Sequence, residues 1–443
     1  LENRVISALH HDQILLDMEN PIQVSIGQFY GIEVNDFAVT VAKTALWIAE
    51  SQMMKATEDV VHMTLDFLPL KSYANIAEGN ALRISWPSAD YIMGNPPFVG
   101  YSLQSKAQKE DILSIYIDET GKPYKTAGKI DYVAGWYFKA AQLMHGTSIR
   151  AAFVSTNSIT QGEQVAAVWR PLTQRFGVHI DFAHRTFKWN SEAKDKAAVH
   201  CVIVGFSVAP SKKEKVIYAS DRPQVAENIN AYLLDAPNVL LESRSTPLCE
   251  VPKMQSGGKP VEGGNLIFTE EEKVNFLKVE PLAEKYFRPF MGSDDYINGH
   301  TRWCLWLVDV PPHELRAMPH ILKRVEAVRE FRLASVKTAT REYANQPARF
   351  MEIKQPNSDY LMIPATSSEN RRYIPIGYLE RNIVASNAAS FVPDATLYHF
   401  GVLLSNVHMA WMRAVCGRLK SDYRYSINIV YNNFPWPTPT QDQ

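Results

Sequence analysis

The run Asn95-Pro96-Pro97-Phe98, which directly follows the apolar residues Tyr91-Ile92-Met93, carries the most specific chemistry in this chain. The amide oxygen of Asn95 accepts a hydrogen bond. Because Pro96 has no N–H and a fixed φ, the backbone carbonyl there can turn outward as a second acceptor. Two adjacent acceptors can hold both protons of an exocyclic NH₂ group and aim its nitrogen lone pair at an electrophilic methyl group. Such a site works by positioning and electrostatics, without a metal or a cysteine nucleophile.

A tight turn is the competing interpretation of the same residues, since Asn-Pro pairs commonly mark turns. The position after an apolar strand favours a functional site, because open α/β sheets bind ligands at the carboxyl ends of their strands. Phe98 can stack on the face of a base. We therefore predict that Asn95, Pro96, Pro97 and Phe98 are catalytic, and that Phe98 also stacks on the target.

Strand and helix signals alternate through the first half of the chain. A β-rich run at 28–34 precedes an Ala-rich helical pattern at 36–54, for which Asp36 is the predicted N-cap. Further strands are predicted at 149–154 and 197–206, and a helix at 131–144. This alternation indicates an α/β, doubly wound fold, with a parallel sheet covered by helices on both faces.

The composition changes between about residues 220 and 250, and we place the main boundary near residue 240. Gly/Pro-rich turns follow, and aromatic residues and arginines are dense from Tyr286 to Trp306. The pattern at Pro319–Tyr343 predicts one helix that is basic on more than one face, with Lys323, Arg324, Arg329, Arg332, Lys337 and Arg341. The predicted divisions are 1–240, 241–410 and 411–443.

The bulk composition, 46% hydrophobic and 21% charged over 443 residues, is that of a globular protein without a membrane-spanning run. The four cysteines lie far apart and form no C-x-x-C pair, which predicts neither a metal site nor disulfides and fits a reducing cytoplasm. The net charge of −1 does not indicate a nucleic-acid partner. It does not exclude one either, because a single basic face suffices.

Asn95-Pro96-Pro97-Phe98 resembles the catalytic motif of amino-group DNA methyltransferases that use S-adenosylmethionine. Longer blocks resemble the methylase region of the MmeI-like (type IIL) restriction–modification enzymes, and the resemblance covers essentially the whole chain. These blocks are Tyr30–Asp36, Glu78–Leu82, Gly94–Gly100, Phe187–Asn190 through Gly205–Phe206, Phe287–Ser293 and Cys416–Ser426.

The resemblance implies a Rossmann-like methyltransferase domain at 1–240, an α+β target recognition domain at 241–410, and a C-terminal segment packed on both. It implies transfer of a methyl group from S-adenosylmethionine to a flipped-out adenine of double-stranded DNA. We predict adenine N6 rather than cytosine C5 as the acceptor, because no Pro-Cys pair supplies the nucleophile that C5 chemistry needs. The oligomeric state is not predicted.

The resemblance also assigns cofactor-binding residues. Glu33, at a strand end, would bind the ribose hydroxyls, and Asn80 with Ala81 would contact the adenine of the cofactor. Asn95 is assigned to the cofactor site as well. Asn80 stands where the family usually has Asp, which keeps an acceptor but loses a charge. Phe187 or Trp189 would pack on the flipped base; ordinary core aromatics are the alternative. Ser155-Thr156-Asn157, after the strand at 149–154, are predicted to line the site.

Five basic residues of the second half are predicted to contact DNA: Arg371, Arg372, Arg418, Lys420 and Arg424. The alternative for each is a solvated surface charge, but base chemistry on a duplex requires phosphates to be held and the base to be extruded. By the resemblance, sequence specificity would reside between about residues 250 and 410.

Two departures from the family stand out. The Gly-rich loop of the D-P-A-C-G-S-G-N-F type, which wraps the methionine end of the cofactor, has no counterpart in residues 1–33. The N-terminal nuclease domain has none either, and Glu352-Ile353-Lys354 imitates half of a nuclease site by chance. The interpretation is a truncated chain, which we expect to bind cofactor far more weakly than its parent and to be inactive alone.

Three other functions fit parts of this sequence. A glutamine-N5 protein methyltransferase also uses an N-P-P-aromatic motif, but such enzymes lack a long Arg-rich domain after the sheet. A non-catalytic DNA-recognition module with an incomplete methylase fold fits the missing loop and conflicts with the intact Asn95-Pro96-Pro97-Phe98. An endonuclease activity would require the domain that is absent here.

Overall fold

The computed structural model describes residues 4–6, 8, 24–61, 75–189, 199–210, 213–219 and 222–440. Much of the stretch searched for the Gly-rich loop, residues 1–3, 7 and 9–23, lies outside the described residues. So do residues 197–198, at the start of one predicted strand, and Asn190.

A two-stranded parallel sheet comes first in the chain. Strand β1 (Tyr30–Glu33) pairs with β2 (Asn75–Glu78), and helix α1 (Asp36–Val61) follows β1 directly. The side chain that caps α1 is Asn35, whose Oδ1 accepts the amide of Ala38 at 3.1 Å, so the N-cap prediction at Asp36 was wrong by one residue. Tyr91 and Met93, on the next strand along the chain, are largely exposed.

A six-stranded sheet forms the centre of the first half, in the order β3-β4-β6-β5-β7-β8. Helices α2 (Lys106–Ile115), α3 (Ala134–Met144) and α4 (Gly162–Phe176) lie between its early strands. The strands are β3 (Tyr91–Gly94), β4 (Arg150–Thr156), β5 (His179–Trp189), β6 (Val199–Ser207), β7 (Lys215–Tyr218) and β8 (Pro223–Ala226).

Strand direction differs from the sequence prediction. The pairs β3–β4 and β5–β7 are parallel, whereas β6 runs antiparallel to both of its neighbours and β8 runs antiparallel to β7. The fold is a mixed α/β sheet. A uniformly apolar strand such as β6 looks the same in either direction, so the sequence pattern alone does not reveal its orientation.

Aromatic packing fixes this sheet to its helices. Tyr137 of α3 stacks on Phe206 of β6, with ring centroids 5.2 Å apart, and makes edge contacts with Phe153 of β4 and Trp169 of α4. All four side chains are at most 1% exposed. The carboxyl end of β4 is therefore held rigidly against the core.

The second half contains two four-stranded sheets. One has the order β10-β12-β11-β16 and the other β15-β13-β17-β9. Their strands are β9 (Gln255–Ser256), β10 (Ile267–Thr269), β11 (Phe287–Met291), β12 (Arg302–Leu305), β13 (Tyr360–Pro364), β15 (Gly377–Leu379), β16 (Val384–Ala385) and β17 (Ala389–Pro393). The helices are α5 (Glu270–Val279), α6 (Ser293–Asn298), α7 (Pro312–Arg316), α8 (Pro319–Leu333) and α9 (Thr338–Glu342).

The basic helix predicted over Pro319–Tyr343 is therefore two helices, α8 and α9. Two of its arginines also face inward. Arg332 is fully buried, and Arg324 donates to the carbonyl of Asn265 at 2.9 Å with its guanidinium 4.2 Å from the centre of the Phe268 ring. The prediction that the segment exposes basic residues on more than one face was therefore wrong for Arg324 and Arg332.

The last part of the chain consists of α10 (Leu397–Leu403), α11 (Asn406–Val415), and the hairpin of β18 (Gly417–Leu419) with β19 (Asp422–Arg424). Strand β14 (Thr366–Ser367) adds to β19, which gives a small sheet ordered β14-β19-β18. Met409, Met412 and Val430 join the same hydrophobic core as the first-half strands. Within the residues that the structure describes, no helix is both long and apolar enough to cross a membrane.

Candidate active site and nucleic-acid interface

The motif at Asn95 leaves the sheet at the end of β3. Gly94 is the last residue of that strand and pairs with Phe153 of β4; a Cβ at Gly94 would lie 3.3 Å from the Phe153 ring. The side chains of Asn95 and Pro97 are exposed, Pro96 is buried and Phe98 is half-buried. The motif thus presents an amide and an aromatic ring at an open edge, anchored by a buried proline.

Asp131 ties the loop after this motif to the end of β4. Its Oδ1 accepts the amide of Tyr101 at 2.9 Å, and its Oδ2 accepts the hydroxyl of Ser158 at 2.5 Å. The Ser158 hydroxyl also lies 2.9 Å from that of Thr156, at the end of β4. Asp131 is buried and was missed by the sequence analysis, where it served only as the first residue of a predicted helix.

Glu33 lies at the carboxyl end of β1. Its Oε1 accepts the amides of Val34 at 2.9 Å and Asn35 at 3.2 Å, which fixes the carboxylate over the turn that leads into α1. Glu33 pairs with Glu78 of β2, and its carbonyl accepts the amide of Gly79 at 2.8 Å. The structure therefore brings Glu33 next to the turn that carries Asn80.

Both ends of the Asn80 amide are hydrogen-bonded. Nδ2 donates to Oδ2 of Asp111 at 2.8 Å, and Oδ1 accepts the amide of Leu82 at 2.9 Å. The carbonyl of the neighbouring Ala81 accepts the Trp86 indole N–H at 2.8 Å and the Lys139 ammonium at 2.7 Å. The turn at residues 80–84 is consequently held in one conformation.

Asp111, on α2, is a buried carboxylate that the sequence analysis missed. It accepts hydrogen bonds from Arg83 Nε at 2.5 Å and from the Tyr132 hydroxyl at 2.7 Å, in addition to Asn80. Burial acts to raise the pKa of the Asp111 carboxyl, but the bonds from Tyr132, Asn80 and Arg83 outweigh it and hold the pKa below its ordinary value. Asp111 is thus an anion at neutral pH.

Tyr132 connects the two predicted binding segments. Its amide donates to the carbonyl of Val99 at 2.9 Å, directly after the Asn95 motif, and its hydroxyl donates to Asp111. Burial, and then the hydrogen bond to Asp111, raise the pKa of the Tyr132 phenol, which stays protonated as a donor. The loop after Asn95 is therefore linked to the Asn80 turn through one residue, Tyr132, and its hydrogen bond to Asp111.

Phe187 and Trp189 lie on β5, separated from β4 by β6. Phe187 pairs with Cys201 of β6, and Cys201 pairs with Thr156 at the end of β4, so all three lie at the same edge of the sheet. Trp189 is 38% exposed, and its ring centre is 6.3 Å from that of Phe187. Stacking on a target base stays a prediction for this pair.

The sheet β14-β19-β18 and the loop after β14 carry the five predicted DNA-contacting residues. Arg418 stacks on Tyr423 with its guanidinium 3.9 Å from the ring centre, donates to the Ser421 carbonyl at 2.8 Å, and lies 3.6 Å from Glu369. Lys420 occupies the hairpin turn with a φ of +58°. Arg424 on β19, and Arg371 and Arg372 in the loop after β14, are exposed.

This basic sheet touches the first half of the molecule near the end of β4. A Cβ at Gly162, the first residue of α4, would lie 3.4 Å from the Cα of Gly417 at the start of β18. Arg185 of β5 is a basic residue that the sequence analysis missed. Burial, and then the nearby charge of Arg418, lower its pKa. The candidate DNA-contacting residues and the Asn95 edge thus belong to one region of the structure.

No metal cluster accompanies this region: among the residues that the structure describes, no three His, Cys, Asp or Glu side chains are placed to hold an ion. Three cysteines, Cys201, Cys304 and Cys416, are free and buried, and Cys249 is free and half-buried. The polar groups at the Asn95 edge are amides, hydroxyls and single carboxylates, which suit hydrogen bonding to an organic ligand.

Comparison with known proteins assigns both halves of the chain. The family model for the MmeI DNA-methyltransferase domain matches residues 1–219, and the model for the MmeI target recognition domain matches residues 235–438. The chain belongs to the MmeI family. Its methyltransferase domain contains the Asn95 motif, and the recognition-domain match extends through the basic sheet. This second match decides against a glutamine-N5 methyltransferase.

Two known proteins are similar to this chain along nearly all of its length. DNA methyltransferase A of Bacillus subtilis (strain 168) is 39% identical over 423 residues, which are 94% of this chain and 47% of that protein. The solved structure of the type IIL restriction–modification enzyme MmeI in complex with DNA matches with a TM-score of 0.90 and 46% identity, covering all of this chain and 60% of MmeI. The chain thus spans about half the length of its curated relative.

Proposed function

We propose that this chain is the methylase and target-recognition part of a DNA adenine-N6 methyltransferase of the MmeI family, which transfers a methyl group from S-adenosylmethionine to a flipped-out adenine. The observation that carries the proposal is the placement of Asn95: an exposed amide at the carboxyl end of β3, in a loop that Asp131 and Tyr132 hold in place. Membership of the MmeI family supports DNA as the substrate.

The chain's own residues would act by binding and orientation. The Asn95 amide oxygen and the adjacent backbone carbonyl accept the two protons of the adenine amino group, so that the nitrogen lone pair points away from the ring. S-adenosylmethionine supplies an electrophilic methyl group when it is bound. Phe98, and Phe187 or Trp189, would stack on the extruded base. Positioning and electrostatics then provide the rate enhancement.

The residues present fit the adenosyl part of this cofactor. Glu33 uses Oε1 on two backbone amides, and its Oε2 has no partner among the described residues, so that it is free to accept ribose hydroxyls. Asn80 Oδ1 accepts one backbone amide and keeps a second lone pair for the adenine amino group. Both residues lie at the carboxyl ends of paired parallel strands.

The basic sheet supplies the contacts that a duplex requires. Arg418, Lys420 and Arg424 lie on one hairpin, and Arg371 and Arg372 lie in the loop beside it. Phosphate contacts set the register of a protein on DNA, while contacts to base edges give specificity. We assign the hairpin to phosphates and the loop to base edges.

Replacement of Asn95 by Ala in the full-length protein tests the assignment of the catalytic residue. Loss of one preorganised hydrogen-bond partner costs on the order of 2–4 kcal/mol of barrier, so tritiated methyl incorporation into DNA should fall by roughly a hundredfold or more while DNA binding survives. Asn238→Ala, which removes another exposed amide, in the loop after β8, is the matched control.

Activity of Asn95→Ala within about threefold of wild type would contradict the assignment. Digestion of the methylated DNA to nucleosides should yield N6-methyladenine, and 5-methylcytosine would exclude the proposed acceptor. A wild-type protein that binds DNA but transfers no methyl group would favour the non-catalytic recognition module instead.

A further inference from the structure

We infer that Asp111 is a positioning residue that fixes the orientation of the Asn80 amide, so that the amide oxygen faces the adenine amino group of S-adenosylmethionine. The inference deepens the proposed function and rests on it, because it concerns the cofactor subsite of the same reaction. Asp111 lies on α2 and acts on the cofactor subsite through its hydrogen bond from Asn80 Nδ2.

Only one orientation of the Asn80 amide satisfies its neighbours. In the observed orientation, Nδ2 faces the carboxylate of Asp111, which can only accept, and Oδ1 faces the amide of Leu82, which can only donate. Rotation of the amide by 180° would set two acceptors against each other on one side and two donors on the other. The protein therefore determines which end of Asn80 a ligand meets.

The carboxylate is well suited to this role because it is buried and saturated. Its side chain is 3% exposed and receives hydrogen bonds from Arg83 and Tyr132 besides Asn80. The Tyr132 amide binds Val99, so the residue that helps to hold Asp111 also holds the loop after the Asn95 motif. Asp111 thus orients the predicted adenine contact from a fixed position relative to the predicted reaction centre.

The same pair explains why an amide occupies position 80, where the resemblance leads one to expect Asp. A carboxylate at position 80 would lie at hydrogen-bonding distance from the Asp111 carboxylate. Two carboxylates at that separation repel each other, which raises the pKa of the pair, so both are ionised only above that raised pKa. One carboxylate and one amide satisfy the same geometry without this repulsion. The carboxylate can equally stand at position 80 if the amide stands at position 111.

The test is an exchange of the two side chains in the full-length protein. Asn80→Asp should lower the affinity for S-adenosylhomocysteine, measured by calorimetry, by about tenfold or more at pH 8, as expected for one buried charge conflict. The double variant Asn80→Asp/Asp111→Asn restores a donor opposite an acceptor and should return to within about threefold of wild type. Glu110→Gln, an exposed neighbour on α2, is the matched control and should change nothing.

A second readout separates orientation from simple structural support. In Asn80→Asp, repulsion between the two carboxylates raises the pKa of the pair. Above that pKa, at pH 8, both are ionised and repel each other, and the repulsion is relieved as the pH falls through the raised pKa. The protonated carboxyl at position 80 can then donate to Asp111 as the Asn80 amide does. We expect Asn80→Asp to regain affinity between pH 8 and pH 5.5, while the double variant and the wild type show no such gain.

Two results would overturn the inference while the proposed function stands. One is a double variant in which the losses of S-adenosylhomocysteine affinity of the two single variants simply add. The other is an Asn80→Asp variant whose affinity does not depend on pH. Failure of the wild-type protein to transfer a methyl group would overturn both. The thermal unfolding of each variant is measured beside its binding. A loss of S-adenosylhomocysteine affinity that is matched by a loss of thermal stability also counts against the inference.

Discussion

Each half of the molecule buries a charged side chain and saturates it with hydrogen bonds, but the partners differ in kind. In the first half, Asp111 accepts from three side chains, those of Asn80, Arg83 and Tyr132. In the second half, Arg332 is fully buried and makes five hydrogen bonds, all to backbone carbonyls. Its acceptors are the carbonyls of Pro260, Val261, Tyr343, Gln346 and Arg349, at 2.7–3.3 Å.

The difference in partners implies a difference in role. The carbonyls that Arg332 binds belong to two loops, one before β10 and one after α9. These loops also meet in the isolated β-bridge of Lys259 with Glu352, and the guanidinium adds further bonds between them. The side chains that Asp111 binds belong to the predicted cofactor turn, at Asn80 and Arg83, and to Tyr132, which holds the loop after the Asn95 motif. Arg332 stabilises a fold, whereas Asp111 sets the orientation of groups that face a ligand.

Replacement of Arg332 by Met is expected to have the largest effect on stability. Met fills much of the same volume but removes all five hydrogen bonds. The carbonyls of Val261 and Arg349 then lose the donor that the structure gives them, and polar groups without a partner are costly. We expect a loss of about 3–5 kcal/mol in the free energy of unfolding, measured by urea denaturation followed through tryptophan fluorescence.

Two variants calibrate that measurement. Arg329→Met lies one turn away on α8 and changes an exposed residue, so its effect should be small. Asp111→Asn keeps an acceptor for Tyr132 and should lose only about 1 kcal/mol. If Arg332→Met were no more destabilising than either, the contrast between the two buried charges would be wrong.

The sequence predicted the parts of this structure that depend on neighbouring residues. The Asn95 motif follows its strand directly, and Glu33 ends the strand that precedes α1, so both were visible as local patterns. Asp111 was not, because its partners lie 31, 28 and 21 residues away and an acidic residue in a helix ordinarily indicates solvent exposure.

Arg332 is the opposite case: its local sequence predicts a surface charge, but its side chain is fully buried. Four of the six basic residues at 319–343 behave as surface charges, and nothing in the local pattern separates them from Arg332 and Arg324. The acceptors of Arg332 lie between 11 and 72 residues away. A count of basic residues therefore overestimates the charge that this segment exposes. The hairpin of β18 and β19 carries Arg418, Lys420 and Arg424, and Arg371 and Arg372 lie in the loop after β14.

Arg371 and Arg372 test whether exposed arginines of this domain read the DNA sequence, in contrast to the buried Arg332, which binds only main-chain carbonyls. Both are exposed on the loop after β14, and Arg side chains can make bidentate bonds to guanine, each with roughly 1–3 kcal/mol of discrimination. We expect Arg371→Ala or Arg372→Ala in the full-length protein to relax the preference at one position of the recognised sequence. Sequencing of the methylated adenines across a genome measures this.

A contact to phosphate would leave a different signature. It would weaken binding to all sequences equally and reduce the salt slope by about one, without a change of motif. Arg329→Ala serves as the control for loss of an exposed arginine elsewhere in the domain. A motif that stays unchanged in every substitution across residues 250–410 would place the specificity outside this region.

Lys420 offers the smallest and most selective change. It lies in the hairpin turn between β18 and β19 with a φ of +58°, a region that residues other than glycine adopt at a cost of roughly 1–2 kcal/mol. Lys420→Gly should therefore raise the free energy of unfolding by up to about 1 kcal/mol, because it relieves the backbone while removing the charge. DNA affinity should nevertheless fall, with a salt slope lower by about one.

The companion variant Lys420→Ala removes the same charge but retains the unfavourable φ. It should match Lys420→Gly in DNA affinity and salt slope and lack its gain in stability. Because stability and affinity move in opposite directions in the glycine variant alone, a general loss of fold cannot produce this pattern. DNA affinity equal to wild type in both variants would mean that the turn does not touch phosphate, and that a strained lysine there has another cause.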